Sequence, residues 1–406
     1  MGRIRKPKVE SRKKSETRNN SENQKAKTET STLDKDCGFR LSAFGFPSGW
    51  LARRLRSWFV RHQRDLPWRR DRDPYRIWVS EVMLQQTQAA AVVPYFERFM
   101  RVFPTVAALA AAEEQEVLRC WEGLGYYRRA RDLHRAAQEI VARHDGQFPD
   151  DPAVLGRLPG LGRYTCNAVL SQAFDRRLPI LEANSQRVLS RLFGRAEDPR
   201  RPAARRWLWQ AAEAILPDRE VGVFNQALME LGALVCTPTA PRCTQCPLAA
   251  RCVARRQGRQ DSIPVRTPPL ETLPIQEAAV VVRRSTEVLL VQRPPQGRWA
   301  SLWEFPHGPL QDGETHEAAV LRLLRQLTGL RAKLGTELLT IRHSITRYRI
   351  ALTCFEAEHV SGEFQSDFYV KGHWLSLADL AAYPVSSPQR RLACFLLSPT
   401  RQRSLF

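Results

Sequence analysis

The sequence of 406 residues contains no apolar run that approaches the roughly 18–20 residues needed to cross a membrane. It also shows no apolar segment of the kind found in a signal peptide. A disulfide-stabilised secreted domain is disfavoured too, because its cysteines would be spread through a small fold. Here four of the nine cysteines lie between Cys236 and Cys252. We therefore expect a soluble protein that contacts no membrane and carries no secretion signal.

Acidic residues are scarce relative to basic ones. The chain has 63 Lys and Arg against 42 Asp and Glu, which gives a formal net charge of +21. A surplus of this size attracts polyanions and favours nucleic acid as a partner. The alternative is that the charge only keeps the protein soluble, because charge indicates affinity without specificity.

Composition divides the chain into four segments. Residues 1–47 are polar and basic, which predicts a disordered arm. In residues 48–252 apolar side chains recur every three or four positions, which predicts a mainly helical domain. Residues 253–274 contain four prolines and are interpreted as a linker. In residues 275–400 strand-length β-branched runs accompany a helical pattern, which predicts a separate α+β domain.

The periodicity also predicts individual elements. Helices are predicted at 51–62, 77–100, 113–121, 129–144, 164–174, 185–193, 224–235 and 315–327. Strands are predicted at 278–282, 288–291 and 350–355. The sequence shows no internal repeats, so a repeat architecture is not expected.

Four cysteines follow the spacing Cys236-x6-Cys243-x2-Cys246-x5-Cys252. Four thiolates within seventeen residues can surround one compact metal centre. A zinc ribbon more often joins two C-x-x-C pairs over a long excursion. The single pair and the short loops seen here favour an iron–sulfur cluster, with zinc as the alternative.

The segment Leu158-Pro-Gly-Leu-Gly-Arg-Tyr-Thr165 is a helix–hairpin–helix signature. Gly160 and Gly162 allow a tight turn and a close approach of the backbone to a phosphate. The helix that follows would offer unpaired N–H groups and its positive dipole end to that phosphate. We expect this hairpin to contact a nucleic acid backbone.

Two glutamates have contrasting surroundings. Glu81 lies among apolar neighbours such as Trp78 and Val82, and such desolvation raises a carboxyl pKa and keeps a proton available near neutrality. Glu182 comes just before a predicted helix, where the dipole favours the anion. The alternatives are a surface glutamate on an amphipathic helix for Glu81 and a simple helix cap for Glu182.

Taken together, residues 50–252 resemble MutY-type adenine DNA glycosylases of the helix–hairpin–helix superfamily. Residues 275–400 resemble, more weakly, the C-terminal domain of that family, which is related to Nudix hydrolases and recognises 8-oxoguanine. The matching strings are LPWRR (66–70), WVSEVMLQQTQ (78–88), WEGLGYYRRARDLH (121–134), LPGLGRYT (158–165), FNQALMELGALVC (224–236) and the four-cysteine loop.

The resemblance implies a monofunctional DNA glycosylase of base excision repair. Such an enzyme hydrolyses the N-glycosidic bond of adenine mispaired with 8-oxoguanine or guanine in double-stranded DNA. The resemblance further implies a [4Fe–4S] cluster on Cys236, Cys243, Cys246 and Cys252. It also implies a monomer that in a bacterium is cytoplasmic and associated with the nucleoid.

The resemblance assigns catalytic roles by position. Glu81 matches the catalytic acid, Glu182 the catalytic carboxylate, Asn184 its companion and Tyr164 a residue near the sugar. The family usually has aspartate in a Leu-Asp-Gly-Asn string, whereas this chain has Leu-Glu-Ala-Asn. An added methylene can displace the carboxylate, and a shift of about 1 Å can cost roughly 10²-fold in rate.

DNA and lesion contacts are implied in the same way. Gln86 and Tyr126 match residues that wedge into the duplex, and Arg69 and Gln226 fall near the adenine pocket. The segment His343–Tyr348 aligns with the loop that probes 8-oxoguanine.

The family usually has Phe-Ser-His in that loop, and here the residues are Ile345, Thr346 and Arg347. The Thr346 hydroxyl can still form a hydrogen bond, and Arg347 could contact a phosphate or a guanine edge. The alternative is that this loop is only structural.

Three other functions compete with this interpretation. An endonuclease III-like glycosylase/lyase would place a lysine after the hairpin, where this chain has Tyr164. A DNA-binding homologue with weakened catalysis is supported by the Leu-Glu-Ala-Asn departure alone. A Nudix hydrolase would need metal-binding glutamates after Gly308, Glu314 and Arg322, where 323–327 reads Leu-Leu-Arg-Gln-Leu.

Overall fold

The computed structural model describes residues 49–265, 268 and 271–398. The predicted basic arm, residues 1–47, lies outside these described residues. Among the described residues, no helix is long and apolar enough to cross a membrane. The predicted fold class, a mainly helical region followed by an α+β region, is confirmed.

The described chain is helical up to the end of the cysteine loop. Short 3-10 turns lie at Pro67–Arg69, Cys243–Gln245 and Ala249–Arg251. The helices are α1 (Trp50–His62), α2 (Pro74–Leu84), α3 (Ala89–Val102), α4 (Val106–Ala111), α5 (Glu114–Trp121), α6 (Arg128–His144), α7 (Pro152–Leu155), α8 (Arg163–Phe174), α9 (Ala183–Phe193), α10 (Pro202–Ala214), α11 (Val221–Leu234) and α12 (Val253–Arg256).

A break in the chain between α2 and α3 differs from the sequence prediction. The single helix predicted at 77–100 is wrong, because the chain breaks between α2 and α3, where Gln86 has a φ of 60°. A left-handed residue ends a helix, since L side chains rarely continue in that conformation. Within the predicted linker 253–274, α12 occupies the first four residues and a strand begins at Leu273.

Helix α2 runs through the middle of the helical core. It begins with Asp73 at the N-cap, whose Oδ1 accepts a hydrogen bond from Tyr75 N, and with Pro74 at the first helical position. Eight of its eleven residues are buried. A helix that is buried on most sides also buries the polar residues that it carries.

The α+β region is built on a seven-stranded sheet. The strands are β1 (Leu273–Arg284), β2 (Glu287–Gln292), β3 (Trp303–Glu304), β4 (His307–Pro309), β5 (Arg331–Ile345), β6 (Tyr348–Ser361) and β7 (Lys371–Ser376). Their main order is β3-β2-β1-β6-β5. Strand β4 pairs with β1, β7 pairs with β2, and only the β1–β6 pair is parallel among those described. Helices α13 (His316–Thr328) and α14 (Ser387–Leu397) cover its opposite faces.

The sheet region contacts the helical region directly. The Arg390 guanidinium donates to both oxygens of Glu122, at 2.6 and 2.9 Å. The Tyr127 hydroxyl donates to the carbonyl of Val385 at 3.0 Å. Leu302 of the sheet region is fully buried in the core of the helical region. These contacts fall on the segment that leads from α5 into α6.

Candidate active site

Glu81 is a buried carboxyl group at the centre of the helical region. Only 4% of the residue is exposed. The Tyr164 hydroxyl donates to its Oε2 at 2.6 Å, and Gln172 Nε2 donates to its Oε1 at 2.8 Å. Tyr164 and Gln172 both lie on α8, which follows the glycine hairpin. The alternative of a surface glutamate on an amphipathic helix is therefore wrong.

Burial raises the pKa of Glu81, and it outweighs the hydrogen bonds from Tyr164 and Gln172 and the charge of Arg69. Burial and the two carboxyls Glu81 and Glu182 hold the pKa of Tyr164 well above its usual value. The tyrosine therefore stays neutral. A neutral hydroxyl can donate or accept, so it can keep its contact with Glu81 in either protonation state.

Glu182 forms the N-cap of α9. Its two oxygens accept hydrogen bonds from the backbone N–H groups of Asn184 and Ser185, each at 2.7 Å. The Ser185 hydroxyl in turn accepts from Glu182 N at 2.8 Å, which completes a capping box. Two backbone N–H groups in the segment Glu182–Ser185 thus hold the carboxylate in place, and no flexible side chain is needed for this.

The helix start does not lower the pKa of Glu182 overall. Burial raises this pKa and outweighs the two backbone hydrogen bonds and the charge of Arg187, while Glu81 adds to the upward shift. We expected from the sequence that the helix dipole would favour the anion. The dipole acts in that direction, but desolvation is the larger effect here.

Asn184 lies at a close contact between α9 and α11. A Cβ atom on Gly232 would come within 2.5 Å of Asn184 Cβ, so only glycine fits there. Arg187 Nη2 donates to Asn184 Oδ1 and to the Gly232 carbonyl, both at 2.8 Å, and its Nε donates to the Cys236 carbonyl at 2.7 Å. Asn184 is therefore joined through one guanidinium to the start of the cysteine loop.

The four predicted cysteine ligands lie near one another beside α9. Arg191 Nη1 donates to Cys236 Sγ at 3.4 Å, and the Cys252 thiol donates to the Arg191 carbonyl at 3.4 Å. Burial raises the pKa of Cys246 to about 12, and Cys236, Cys252 and Cys243 act on it in the same direction.

Among the described residues, no three His, Cys, Asp or Glu side chains converge on a point that could hold one metal ion. In a four-iron cluster each thiolate binds a different iron, so the sulfurs surround the cluster rather than meet at one point. Four cysteine thiols on one loop are a donor set that such a cluster takes.

The predicted hairpin lies directly before α8. Gly160 has a φ of 74°, and a Cβ there would lie 2.8 Å from Asp132 Cβ, so the turn requires glycine on two grounds. Gly162 forms the N-cap of α8, and no atom lies within 4 Å of the position of an added Cβ. The open side of Gly162 leaves the first N–H groups of α8 accessible to a phosphate.

Gln86 and Tyr126 are both exposed and both have positive φ angles, 60° and 46°. Tyr126 has 55% of its surface exposed, which is unusual for a large aromatic residue. Gln86 lies between α2 and α3, and Tyr126 lies between α5 and α6. Both side chains project from tight loops rather than from helices.

A cleft of about 240 Å³ lies in the helical region. Its lining includes Trp68, Arg69, Gln172 and Gln226, so two of the predicted pocket residues meet there. Gln172 connects the cleft to Glu81, because it lines the cleft and also hydrogen-bonds the carboxyl group.

Arg69 is held at this cleft by Glu230, with Nη2 and Oε2 separated by 2.9 Å. Arg64 binds the same carboxylate at 2.7 Å. Burial alone would raise the pKa of Glu230, but the hydrogen bonds from Arg64 and Arg69 lower it to about 2.

Gln172 and Glu230 were not predicted from the sequence. Gln172 could have been found, because it lies eight residues after Tyr164 on one helix and thus near the same helix face. No pattern in the sequence indicates a role for Glu230, since its partners Arg69 and Arg64 lie 161 and 166 residues away.

Thr346 and Arg347 form the tip of the β5–β6 hairpin, between Ile345 and Tyr348. Both are exposed, and Thr346 has a φ of 50°. The Arg347 guanidinium lies 5.3 Å from the centre of the Tyr348 ring. The tip belongs to the sheet region, whereas Glu81, Tyr164 and Glu182 belong to the helical region.

The remnant of the Nudix pattern forms an ion pair. Arg322 Nε donates to Glu314 Oε1 at 2.6 Å, and its Nη2 donates to Oε2 at 2.7 Å. This pairing lowers the pKa of Glu314 to about 2. The Glu314 carboxylate is therefore ionised, and the positive charge of Arg322 balances its negative charge.

Two family models match the chain. Residues 79–214 match the HhH-GPD superfamily base excision DNA repair protein model, and residues 278–393 match the NUDIX domain model. The first match contains Glu81, the hairpin, Tyr164 and Glu182. The second covers most of the sheet, all of α13 and the first part of α14.

Several relatives are adenine DNA glycosylases. That of Rattus norvegicus is 37% identical over 339 residues, which cover 70% of this chain and 65% of the rat protein. That of Buchnera aphidicola subsp. Schizaphis graminum is 33% identical over 252 residues, which cover 62% of this chain and 73% of the relative. That of Mycolicibacterium smegmatis is 44% identical over 196 residues, which cover 48% of this chain and 66% of the relative.

The chain thus spans a little less than two thirds of the length of the rat protein, and more than two thirds of the Buchnera protein. Identity above 30% over that share of the Buchnera relative, together with the two domain matches, decides the family. The chain belongs to the MutY-type adenine DNA glycosylase family.

Proposed function

We propose that this chain hydrolyses the N-glycosidic bond of adenine mispaired with 8-oxoguanine, or with guanine, in double-stranded DNA. The observation that carries the proposal is a pair of carboxyl groups: Glu81 accepts a hydrogen bond from the half-buried Tyr164 at 2.6 Å, and Glu182, held by two backbone N–H groups, acts electrostatically on the same tyrosine. Two carboxyls in different surroundings are the usual apparatus for cleaving a glycosidic bond. The net charge of +21 supplies general affinity for the duplex.

The adenine must leave the stack before these groups can reach it. Adenine is a poor leaving group until it is protonated, and the raised pKa of Glu81 keeps a proton available for that step. Glu182 then stabilises the cationic sugar as an anion, a form that its two backbone N–H partners favour against the opposing effect of burial. Arg69, Gln172 and Gln226 line the cleft in which we place the adenine.

The proposed enzyme hydrolyses the bond but does not cut the strand. A glycosylase/lyase attacks the sugar with an amine and forms a Schiff base. The sequence has no lysine between Lys35 and Lys333, and Tyr164 occupies the position after the hairpin. This absence supports a monofunctional glycosylase.

Cys236, Cys243, Cys246 and Cys252 would hold the proposed [4Fe–4S] cluster. When bound, it fixes the fold of the loop between α11 and α12. The arginines that flank the cysteines are then held on a rigid platform suited to phosphate contacts. Arg187 joins this loop to Asn184 beside the proposed catalytic carboxylate.

We further propose that the exposed tip of the β5–β6 hairpin reads 8-oxoguanine. Arg347 has the donors to contact a guanine edge, and Thr346 has a hydroxyl that can donate or accept. The test is single-turnover excision from A:8-oxoguanine, A:G and A:T duplexes. Wild type should prefer A:8-oxoguanine, and Arg347→Ala should reduce its preference over A:G.

Arg349→Ala is the matched control, because Arg349 is an exposed arginine on β6 two residues away. It should keep the wild-type preference. Equal preference in wild type and Arg347→Ala would refute the role of the tip. Tight binding of all three duplexes without adenine release would instead support a DNA-binding homologue with lost catalysis.

A further inference from the structure

Arg129, in the first turn of α6, connects two loops through backbone carbonyls. Its Nη1 lies within hydrogen-bond distance of three carbonyls at the end of α2, and its Nη2 of two carbonyls between α5 and α6. The carbonyls and their distances are Val82 at 2.8 Å, Met83 at 3.1 Å, Gln85 at 2.6 Å, Leu124 at 3.1 Å and Gly125 at 3.3 Å.

The guanidinium is held as a cation by dipoles and rings. Burial lowers the pKa of Arg129 to about 10, so the group stays charged at neutral pH. The carbonyls of Val82 and Met83 are at the negative end of the α2 dipole. The rings of Trp121 and Tyr126 lie 5.4 and 5.6 Å from the guanidinium carbon, within the range of cation–π attraction.

The two loops that Arg129 joins are those that carry the exposed side chains Gln86 and Tyr126. Gln86 follows Gln85, and Tyr126 follows Gly125, so each is one peptide beyond a carbonyl that Arg129 binds. Both have left-handed backbone angles, which are unfavourable for side chains of this kind and persist only where neighbouring contacts hold them. One guanidinium therefore supplies contacts that hold both loops.

We propose that Arg129 is a positioning residue that fixes Gln86 and Tyr126 as a matched pair for insertion beside the mispair. This inference rests on the proposed function. Loss of the guanidinium leaves the Glu81 and Glu182 chemistry in place but impairs the opening of the duplex. Lysine cannot replace it, because one ammonium nitrogen cannot reach the same five carbonyls on two loops.

The test compares two substrates with full-length protein under single-turnover conditions. One has adenine opposite 8-oxoguanine in a duplex, and the other has the adenine in an unpaired bulge, where it is already partly unstacked. Arg129→Lys and Arg129→Met should slow the duplex reaction by at least about tenfold. The rate on the bulge should stay close to that of wild type. Arg143→Lys, an exposed control at the other end of α6, should match wild type on both.

A second readout follows base flipping independently of chemistry. 2-Aminopurine in place of adenine should brighten on binding to wild type and much less on binding to Arg129→Lys. Iron content and thermal unfolding identify variants that have simply misfolded. If a folded variant lost the same fraction of its excision rate on the duplex and on the bulge, the role of Arg129 would be overturned while the proposed function stood. Normal base flipping by Arg129→Lys would have the same consequence. A wild type inactive on both substrates would refute the proposed function and this inference with it.

Discussion

Replacing Glu182 by glutamine tests its two roles separately. The carboxylate accepts two backbone N–H bonds at 2.7 Å, and an amide can accept only one of them well. An N–H left without a partner, or a weakened N-cap, costs about 1–2 kcal/mol. We expect Glu182→Gln to lower the free energy of unfolding by that amount. A domain with a typical stability of about 5–15 kcal/mol would remain folded.

The effect on catalysis should be larger. Glutamine removes the negative charge that we assign to the cationic sugar, and losing one such stabiliser costs about 10²–10³-fold in rate. Single-turnover excision from an A:8-oxoguanine duplex measures this step, and fluorescence anisotropy measures binding. Binding should survive, because the basic surface supplies most of the affinity.

Glu182→Asp is the matched control, because it keeps the charge and can still cap α9. The shorter side chain draws the carboxylate back by one methylene, and we expect a lower rate with nearly unchanged stability. If Glu182→Gln excises adenine as fast as wild type, the carboxylate is only a helix cap. If Glu182→Asp is faster than wild type, the surroundings of Ala183 have not adapted to glutamate.

Three further predictions concern pH and metal. Excision should fall as pH rises through the raised pKa of Glu81, since the protonated acid is lost, and a rate that keeps rising with pH would contradict this. Burial lowers the pKa of His307, but Glu304 and Glu277 raise it to about 9. The contribution of His307 to the free energy of unfolding, about 3 kcal/mol, should be present below pH 6.5 and lost as pH rises through 9. A free energy of unfolding in urea that is unchanged between pH 6 and 10 would refute this. Protein purified anaerobically should contain about four irons per chain. Cys246→Ser should lose them, and stoichiometric zinc without iron would exclude the cluster.

The sequence predicted much of the fold because apolar periodicity is local. The periodicity placed most helices of the helical region, and it placed the change from helices to strands in the region that follows. It missed the break after α2, whose carbonyls are bound by Arg129, a residue more than 40 positions further along the chain. It also missed β5 (Arg331–Ile345), a long strand with mostly exposed or half-buried residues and no apolar run.

The site was only partly predictable for the same reason. The apolar neighbours of Glu81 indicated its burial, and the residue order around Glu182 indicated a helix cap. The partner Gln172 is 91 residues from Glu81, so only the folded chain brings them together. The direction of the Glu182 pKa could not be predicted either, because burial by distant elements outweighs the local helix dipole.

The most direct test of the account is to identify the product of one reaction. Wild-type protein in excess over an A:8-oxoguanine duplex should release free adenine and leave the strand intact until alkali is added. Glu81→Gln should bind the same duplex and release adenine at least about 10²-fold more slowly. Strand cleavage without alkali, or adenine release by Glu81→Gln at the wild-type rate, would contradict the assignment of Glu81 as the acid of a monofunctional adenine glycosylase.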